Sequence, residues 1–197
     1  RDRLIRECLE ATGKQPIGVR WLDINRGDAA KPEYRSRLVA KEIKRDKRED
    51  LFATTPSLEA KKLLFSMAVT DGIGYNGNRQ NEMKLDFIDI KRAYFYAPAT
   101  RPIYITIPAE DWEEGDECRV GMLKLSLYGT RDAAQNWAAT YTRQLVEIGF
   151  EPGKASPCNF VHVERGISTT IHGDDYTSVG READLKWMEA KLKGSFE

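Results

Sequence analysis

The chain has 197 residues and equal numbers of basic and acidic side chains, 31 of each, so its formal net charge at pH 7 is +0. That length admits one large domain or two small lobes with ample core, and balanced charge makes no case for nucleic acid. Cys8, Cys118 and Cys158 are odd in number and far apart, which argues for a reducing compartment and against a disulfide framework or a CxxC zinc site; His162 and His172 alone exclude a histidine-rich metal centre.

In chain order, Arg1–Thr12 reads as a short charged helix ending at Gly13, with Pro16 starting an extended segment. Val19–Ile24 and Tyr34–Lys41 read as strands joined by a loop containing Gly27 and Pro32. Within the second, Arg35, Arg37, Val39 and Lys41 share one face by the period of two. Such a row of cations is either a solvated edge guarding against aggregation or a clamp for phosphates. Lys31–Arg48 as a whole is densely basic, and Lys44–Asp50 is a polar loop. Pro56-Ser57 then sets up a helix over Leu58–Thr70, whose apolar stripe Leu63, Leu64, Met67 and Ala68 is core packing.

After a Gly/Asn loop at Gly72–Asn81, Lys84–Ile90 is a strand. Leu85, Phe87 and Asp89 face one way, and Asp86, Ile88 and Ile90 the other. A carboxylate ending an apolar strand is costly if buried and unpaired, so Asp89 is expected to face a cleft, a cation or a helix N-terminus. Lys91–Tyr96 packs Ala93, Tyr94 and Phe95 into a compact turn, which is equally an aromatic core corner. Pro102–Pro108 alternates as a strand, Asp111–Glu117 is an acidic loop, and Met122–Leu127 is a further strand. A turn at Tyr128-Gly129-Thr130 precedes a helix from Asp132 to Ile148, with the stripe Ala134, Trp137, Tyr141, Leu145 and Ile148.

Cys158–Val163 and Ile167–Ile171 are strands around Arg165-Gly166, and Glu182–Phe196 is a closing amphipathic helix carrying Leu185, Met188, Leu192 and Phe196 on one side. Between them, the β-favouring runs Ser168–Ile171 and Tyr176–Val179 flank His172-Gly173-Asp174-Asp175, a hairpin signal with Gly173 at the turn. The pattern is α+β: an antiparallel sheet backed by helices. No internal repeat, secretory signal or membrane-spanning apolar run is evident, and a soluble, intracellular chain is expected.

Two adjacent carboxylates at a turn repel each other and rest in water or on a cation. Asp is an ordinary turn residue, so Asp174-Asp175 alone reads as a solvated turn. If Asp89 meets them across neighbouring strands, the three carboxylates need compensating cations. Hard oxygen donors favour Mg²⁺ or Mn²⁺, and two such ions about 3.5–4 Å apart are the usual arrangement for phosphoryl transfer.

Five stretches resemble, in order, the motifs of copia-like retrotransposon reverse transcriptases, over nearly the whole chain from about Pro16. Y-R-S-R-L-V-A-K (34–41) resembles the basic fingers strand, and D-I-K-R-A-Y-F (89–95) the first catalytic-Asp motif. K-L-S-L-Y-G-T-R-D-A-A-Q-N-W (124–137) is similar to the family's Lys-Ser-Leu-Tyr-Gly-Leu-Lys-Gln…Trp stretch. S-P-C-N-F-V (156–161) and H-G-D-D (172–175) follow at the expected separations. Each match is short; five in the family's order are specific.

The resemblance implies a right-hand polymerase fold: an N-terminal flank at 1–16, part of the fingers at 17–83, and the palm with intervening fingers elements at 84–197, with the thumb absent. It implies that Asp89 and Asp174 hold two Mg²⁺ (or Mn²⁺) ions, with Asp175 as the less direct third carboxylate. Arg35 and Arg37 would lie over the triphosphate of a dNTP, and Tyr94 would gate against a sugar 2′-OH. Gln135 would border the incoming base, or equally be an exposed helix residue. Gly129 and Arg131 would border the template, and His172 would reach the primer end. Two departures stand out. His172-Gly173 replaces the usual Tyr-Val and is expected to loosen the turn, and Tyr94-Phe95-Tyr96-Ala97 replaces Phe-Leu-Asn-Gly.

The implied function is RNA-directed DNA polymerisation on an RNA or DNA template-primer. The remaining polyprotein domains (thumb, RNase H, integrase) are expected outside this chain, and the setting is a cytoplasmic retroelement particle, the nucleus, or both. The alternatives are a truncated or decayed remnant that binds nucleic acid without catalysis, and a different two-metal enzyme such as a nuclease or phosphatase.

Overall fold

The computed structural model describes residues 2–43, 51, 53–75, 82–115 and 119–196. The elements in order are α1 (Asp2–Thr12), β1 (Val19–Asn25), β2 (Tyr34–Ala40), α2 (Leu58–Val69), β3 (Met83–Asp89), β4 (Tyr104–Thr106), β5 (Val120–Met122), α3 (Ala133–Glu147), β6 (Glu151–Pro152), β7 (Asn159–His162), β8 (Ile167–His172), β9 (Asp175–Arg181) and α4 (Glu182–Lys193). They form two compact units, one of Arg1–Leu51 with Ala97–Asn136 and one of Phe52–Tyr96 with Trp137–Glu197. No helix among the described residues is long and apolar enough to cross a membrane.

In the first unit, β1 and β2 pair antiparallel from Val19↔Ala40 to Asn25↔Tyr34, and β4 pairs with β5. Ile17 joins the two hairpins: its N–H donates to the Tyr104 carbonyl at 2.7 Å and its carbonyl accepts from Thr106 at 3.0 Å. Val19, Ala40 and Leu127 are buried together against Ile17, Leu38, Ile105 and Leu123, and Cys8 is buried with Tyr104 and Val120.

In this unit Arg101 pairs with two carboxylates. Its Nη2 lies 2.7 Å from Glu42 Oε2, and its Nε lies 3.0 Å from Asp132 Oδ2. The same Glu42 oxygen accepts the Arg131 backbone N–H at 2.8 Å, so one carboxylate orders the chain on the far side of the Gly129 turn. Burial works against the Arg101 charge, but the hydrogen bonds and charges of Asp132 and Glu42 outweigh it and raise its pKa.

The second unit is a five-stranded antiparallel sheet in the order β3-β9-β8-β7-β6. The register puts Leu85, Phe87 and Asp89 on one face with Val179, Thr177 and Asp175, and Asp86 and Ile88 on the other with Ser178 and Tyr176. The alternation read from the sequence is therefore the one that pairs. On the first face Phe87 meets Phe65 of α2, with ring centroids 6.3 Å apart. On the second, Tyr141 of α3 meets Tyr176 edge-on at 6.3 Å, and Met188 Sδ of α4 lies 3.8 Å from Ser178 Oγ.

Trp137, Tyr141 and Leu145 are buried, as are Leu185, Met188, Leu192 and Phe196, so the two long stripes face the core. The charged end of α4 is tied to the sheet edge by Glu182, which pairs with Lys84 of β3 and with Lys186 one turn on.

Several elements differ from the expectations. The strand expected at Met122–Leu127 is Val120–Met122, and that expected at Pro102–Pro108 shrinks to Tyr104–Thr106. Beyond β5 the chain continues as an isolated bridge, Pro98↔Leu125, flanked by Ser126 N–H to Ala97 at 2.8 Å and Ala99 N–H to Lys124 at 3.0 Å, with Leu123 N–H donating to Ile103 at 2.8 Å. Pro98 sits inside that bridge, whose bonds come from Ala97 and Ala99 and need no N–H from it, so the interruption lies between Ala99 and β4. In α2 only Leu64 is buried, while Leu63 is 60% exposed, because one step of 100° carries it off the core-facing stripe. Ser57 caps that helix as expected, accepting the Ala60 N–H. The polar loop 44–50 and Cys118 lie outside the described residues.

Candidate metal centre of the carboxylate turn

β8 and β9 are joined by a two-residue turn, since His172 pairs with Asp175 and only Gly173 and Asp174 lie between. Gly173 has φ 66°, whereas Asp174 is not left-handed; among the described residues the one non-glycine with positive φ is Arg92. Glycine at the first position of a tight hairpin turn is the arrangement that matches the twist of the flanking strands.

The other half of the site follows from β3. Asp89, its last residue, pairs directly with Asp175 of β9. Like charges facing across an antiparallel pair destabilise it unless something compensates them. Asp174 reaches the same place from the turn. One carboxylate oxygen from each of Asp89, Asp174 and Asp175 lies within 4.8 Å of the others, with Asp89 and Asp175 exposed and Asp174 half-buried. Among the described residues no lysine or arginine pairs with any of the three. Three converging hard oxygen donors, without a paired lysine or arginine among the described residues, are a donor set that suits a divalent cation of the Mg²⁺ or Mn²⁺ kind.

After Asp89 the chain turns sharply. Arg92 takes the left-handed conformation with φ 56°, and its carbonyl accepts the Phe95 N–H at 2.8 Å, starting the short 3-10 helix Ala93–Tyr96. A non-glycine in that region costs about 1–2 kcal/mol, which the packing of Ala93 and Tyr96 must offset. The turn sets Tyr94 half-buried close to the carboxylates: burial first, and the Asp174 charge second, raise its hydroxyl above the ordinary tyrosine range. Arg92 is a residue that sequence reasoning passed over; its only signal is its place between a strand and a compact aromatic turn.

Two hydrogen bonds reach the Gly173-Asp174 turn from outside the hairpin. The Ile90 N–H donates to the Asp174 carbonyl at 3.0 Å, and the Trp137 indole N–H donates to the Gly173 carbonyl at 2.7 Å. His172 ends β8 exposed, opposite Asp175. Thus Asp89, Tyr94, His172, Asp174 and Asp175 belong to one unit, and the first, fourth and fifth of these converge.

The remaining candidates lie in the first unit. Arg35 is exposed and Arg37 half-buried on β2, opposite Ile24 and Leu22. Gly129, with φ 85°, passes so close to β2 that an added Cβ would meet the Ala40 carbonyl oxygen at 2.0 Å. Arg131 is held through its backbone by Glu42, and Gln135 is half-buried in the first turn of α3.

A family model described as reverse transcriptase (RNA-dependent DNA polymerase) matches residues 8–197. The chain is also similar to the Retrovirus-related Pol polyprotein from transposon TNT 1-94 of Nicotiana tabacum, at 23% identity over 192 residues. That alignment covers 92% of this chain and 13% of the polyprotein, so the chain spans a small part of its relative's length.

Proposed function

The chain belongs to the reverse transcriptase (RNA-dependent DNA polymerase) family, as its copia-like motifs led one to expect, and from that premise we propose that it catalyses template-directed transfer of a deoxynucleotide to a primer 3′-OH. The observation that carries the reading is the convergence of Asp89, Asp174 and Asp175 to within 4.8 Å.

In this reading Asp89 and Asp174 are the principal ligands of two Mg²⁺ or Mn²⁺ ions and Asp175 is the third carboxylate. When bound, such ions supply acidity for the attacking hydroxyl and charge stabilisation for the departing pyrophosphate. Everything else is positioning by this chain's own residues. Tyr94 stands beside Asp174 as the bulky group that a sugar 2′-OH would strike, and the packing that half-buries it is what makes a gate stiff. His172, at the end of β8, presents a donor toward the primer terminus. Arg35 and Arg37 offer planar forks to a triphosphate. Gly129, Arg131 and Gln135 line the path of template and incoming base, with Glu42 holding the Arg131 backbone in place.

The proposed arrangement is a fingers portion at 17–83 and a palm at 84–197 with intervening fingers elements, following the short flank 1–16. Thumb, RNase H and integrase activities belong to other parts of such a polyprotein, and the setting is inside the cell, where template RNA and dNTPs are found.

The test is primer extension on poly(rA)/oligo(dT) with dTTP and either metal, comparing the chain with Asp174→Asn. Extension that disappears in the variant is expected. A thumb-extended version that incorporates no dTTP with Mg²⁺ or Mn²⁺ would sink the reading.

A further inference from the structure

We propose that Trp137 is the positioning residue of the carboxylate turn, its indole N–H setting the orientation of Asp174; the inference rests on the metal-centre reading above. The turn has little else to hold it. A Cβ built on Gly173 would meet nothing within 4 Å, so no side-chain packing fixes that residue, and its φ of 66° is one glycine leaves easily. The hairpin's own ladder ends one step earlier, at His172↔Asp175.

What fixes the turn is the pair of hydrogen bonds from outside it. The Gly173 carbonyl belongs to the peptide plane on the N-terminal side of Asp174, and the Asp174 carbonyl to the plane on its C-terminal side. Trp137 holds the first at 2.7 Å and the Ile90 N–H holds the second at 3.0 Å. Peptide groups are planar, so holding the carbonyl of each plane restrains φ and ψ of Asp174, and with them the direction in which its side chain leaves the backbone. Ile90 follows Asp89 directly, so one of the two anchors comes from the segment carrying the partner carboxylate.

Trp137 is itself rigid. It is 1% exposed and packs edge-on against Tyr141 and Phe196, with centroids 5.6 and 5.1 Å away. Phe196 in turn packs on Tyr96, at 5.2 Å, in the 3-10 turn that follows Asp89. The indole N–H is a donor only, so it has no alternative role in this pocket. A donor on a locked ring, aimed at the peptide next to a metal ligand, is an outer support of the kind whose loss weakens metal affinity about 10–100-fold.

The test separates the N–H from the ring. Replacing Trp137 with benzothienyl-alanine keeps the bicyclic shape and substitutes sulfur for the N–H; Trp137→Phe is the simpler companion. Mn²⁺ binding to each protein is followed by the electron spin resonance of free Mn²⁺, and thermal unfolding is measured in EDTA. The benzothienyl protein is expected to melt close to the parent in EDTA yet bind Mn²⁺ about tenfold or more weakly. Unchanged Mn²⁺ affinity in that protein, with Asp174→Asn still abolishing binding, overturns the role given to Trp137 and leaves the metal centre standing. If the parent binds no Mn²⁺, or Asp174→Asn binds as well as the parent, the metal centre and this inference fall together.

Discussion

Neutralising Asp174 should make the metal-free protein more stable. Asp174 offers a carboxylate oxygen within 4.8 Å of one from Asp89 and one from Asp175. At that separation two unit charges repel by about 1 kcal/mol at the dielectric of water and about 3.5 kcal/mol at an effective dielectric of 20. Asp89 and Asp175 are exposed, which places these pairs near the lower figure. Asparagine at 174 removes two of the three pairs while keeping shape and turn compatibility. The expected gain is therefore about 2 kcal/mol at low ionic strength.

The assay is urea unfolding of the parent and Asp174→Asn in EDTA, at low salt and at 1 M KCl. High salt shortens the screening length to about 3 Å, so the gain should shrink there. Adding Mn²⁺ should reverse the order, because only the parent gains binding free energy, about 2.7 kcal/mol when the ion is at 100 times its dissociation constant. A variant no more stable than the parent in low-salt EDTA would refute the account, since it would mean that the carboxylates do not feel one another and need no cation.

Gly129→Ala should destabilise by about 3 kcal/mol or more in denaturant unfolding, because it adds the cost of a left-handed alanine to a Cβ only 2.0 Å from the Ala40 carbonyl. Gly13→Ala, with φ 64° and open space around it, isolates the backbone part alone and should lose only about 1–2 kcal/mol. Equal losses at the two sites would show that the approach to β2 relaxes freely. Glu182 is held down to about 2 by hydrogen bonds to Lys186 and then Lys84, from an ordinary 4.5. A depressed carboxyl contributes stability above its unfolded value and loses it as pH falls through the folded one. The gap in Tm between the parent and Glu182→Gln should thus be full above pH 5 and close between pH 4.5 and 2; a gap constant across that window would contradict the pairing.

The parts of the fold with a strong period were readable in advance. The alternation of Lys84–Ile90 predicted which residues of β3 share a face, and the stripes of α3 and α4 predicted their buried sides, because burial of one face leaves a regular trace in the sequence. The pairing of Asp89 with Asp175 was legible only as a condition: each carboxylate could be placed at a strand end, but which strands are neighbours is a long-range fact. The shortfalls lie where single residues decide. The alternation of Pro102–Pro108 looked continuous but only Tyr104–Thr106 pairs, and Leu63 differs from Leu64 by one helical step.

The turn shows most clearly what local reading cannot reach. Glycine in place of a side chain at position 173 implies, from its own chemistry, a looser hairpin. That inference holds for an isolated hairpin; this one also accepts hydrogen bonds from Trp137, 36 residues away in sequence, and from the strand end that carries Asp89. In the sequence Trp137 reads as one apolar position of a helical stripe, and so it is: the ring is core. Its single polar atom nevertheless ends at the Gly173 carbonyl, and a periodic pattern carries no information about where one N–H points. The same side chain therefore serves the hydrophobic core through its ring and the carboxylate turn through its nitrogen. If the proposed role of Trp137 holds, a glycine suits the turn because hydrogen bonds from the helix and from the Asp89 segment reach its two carbonyls.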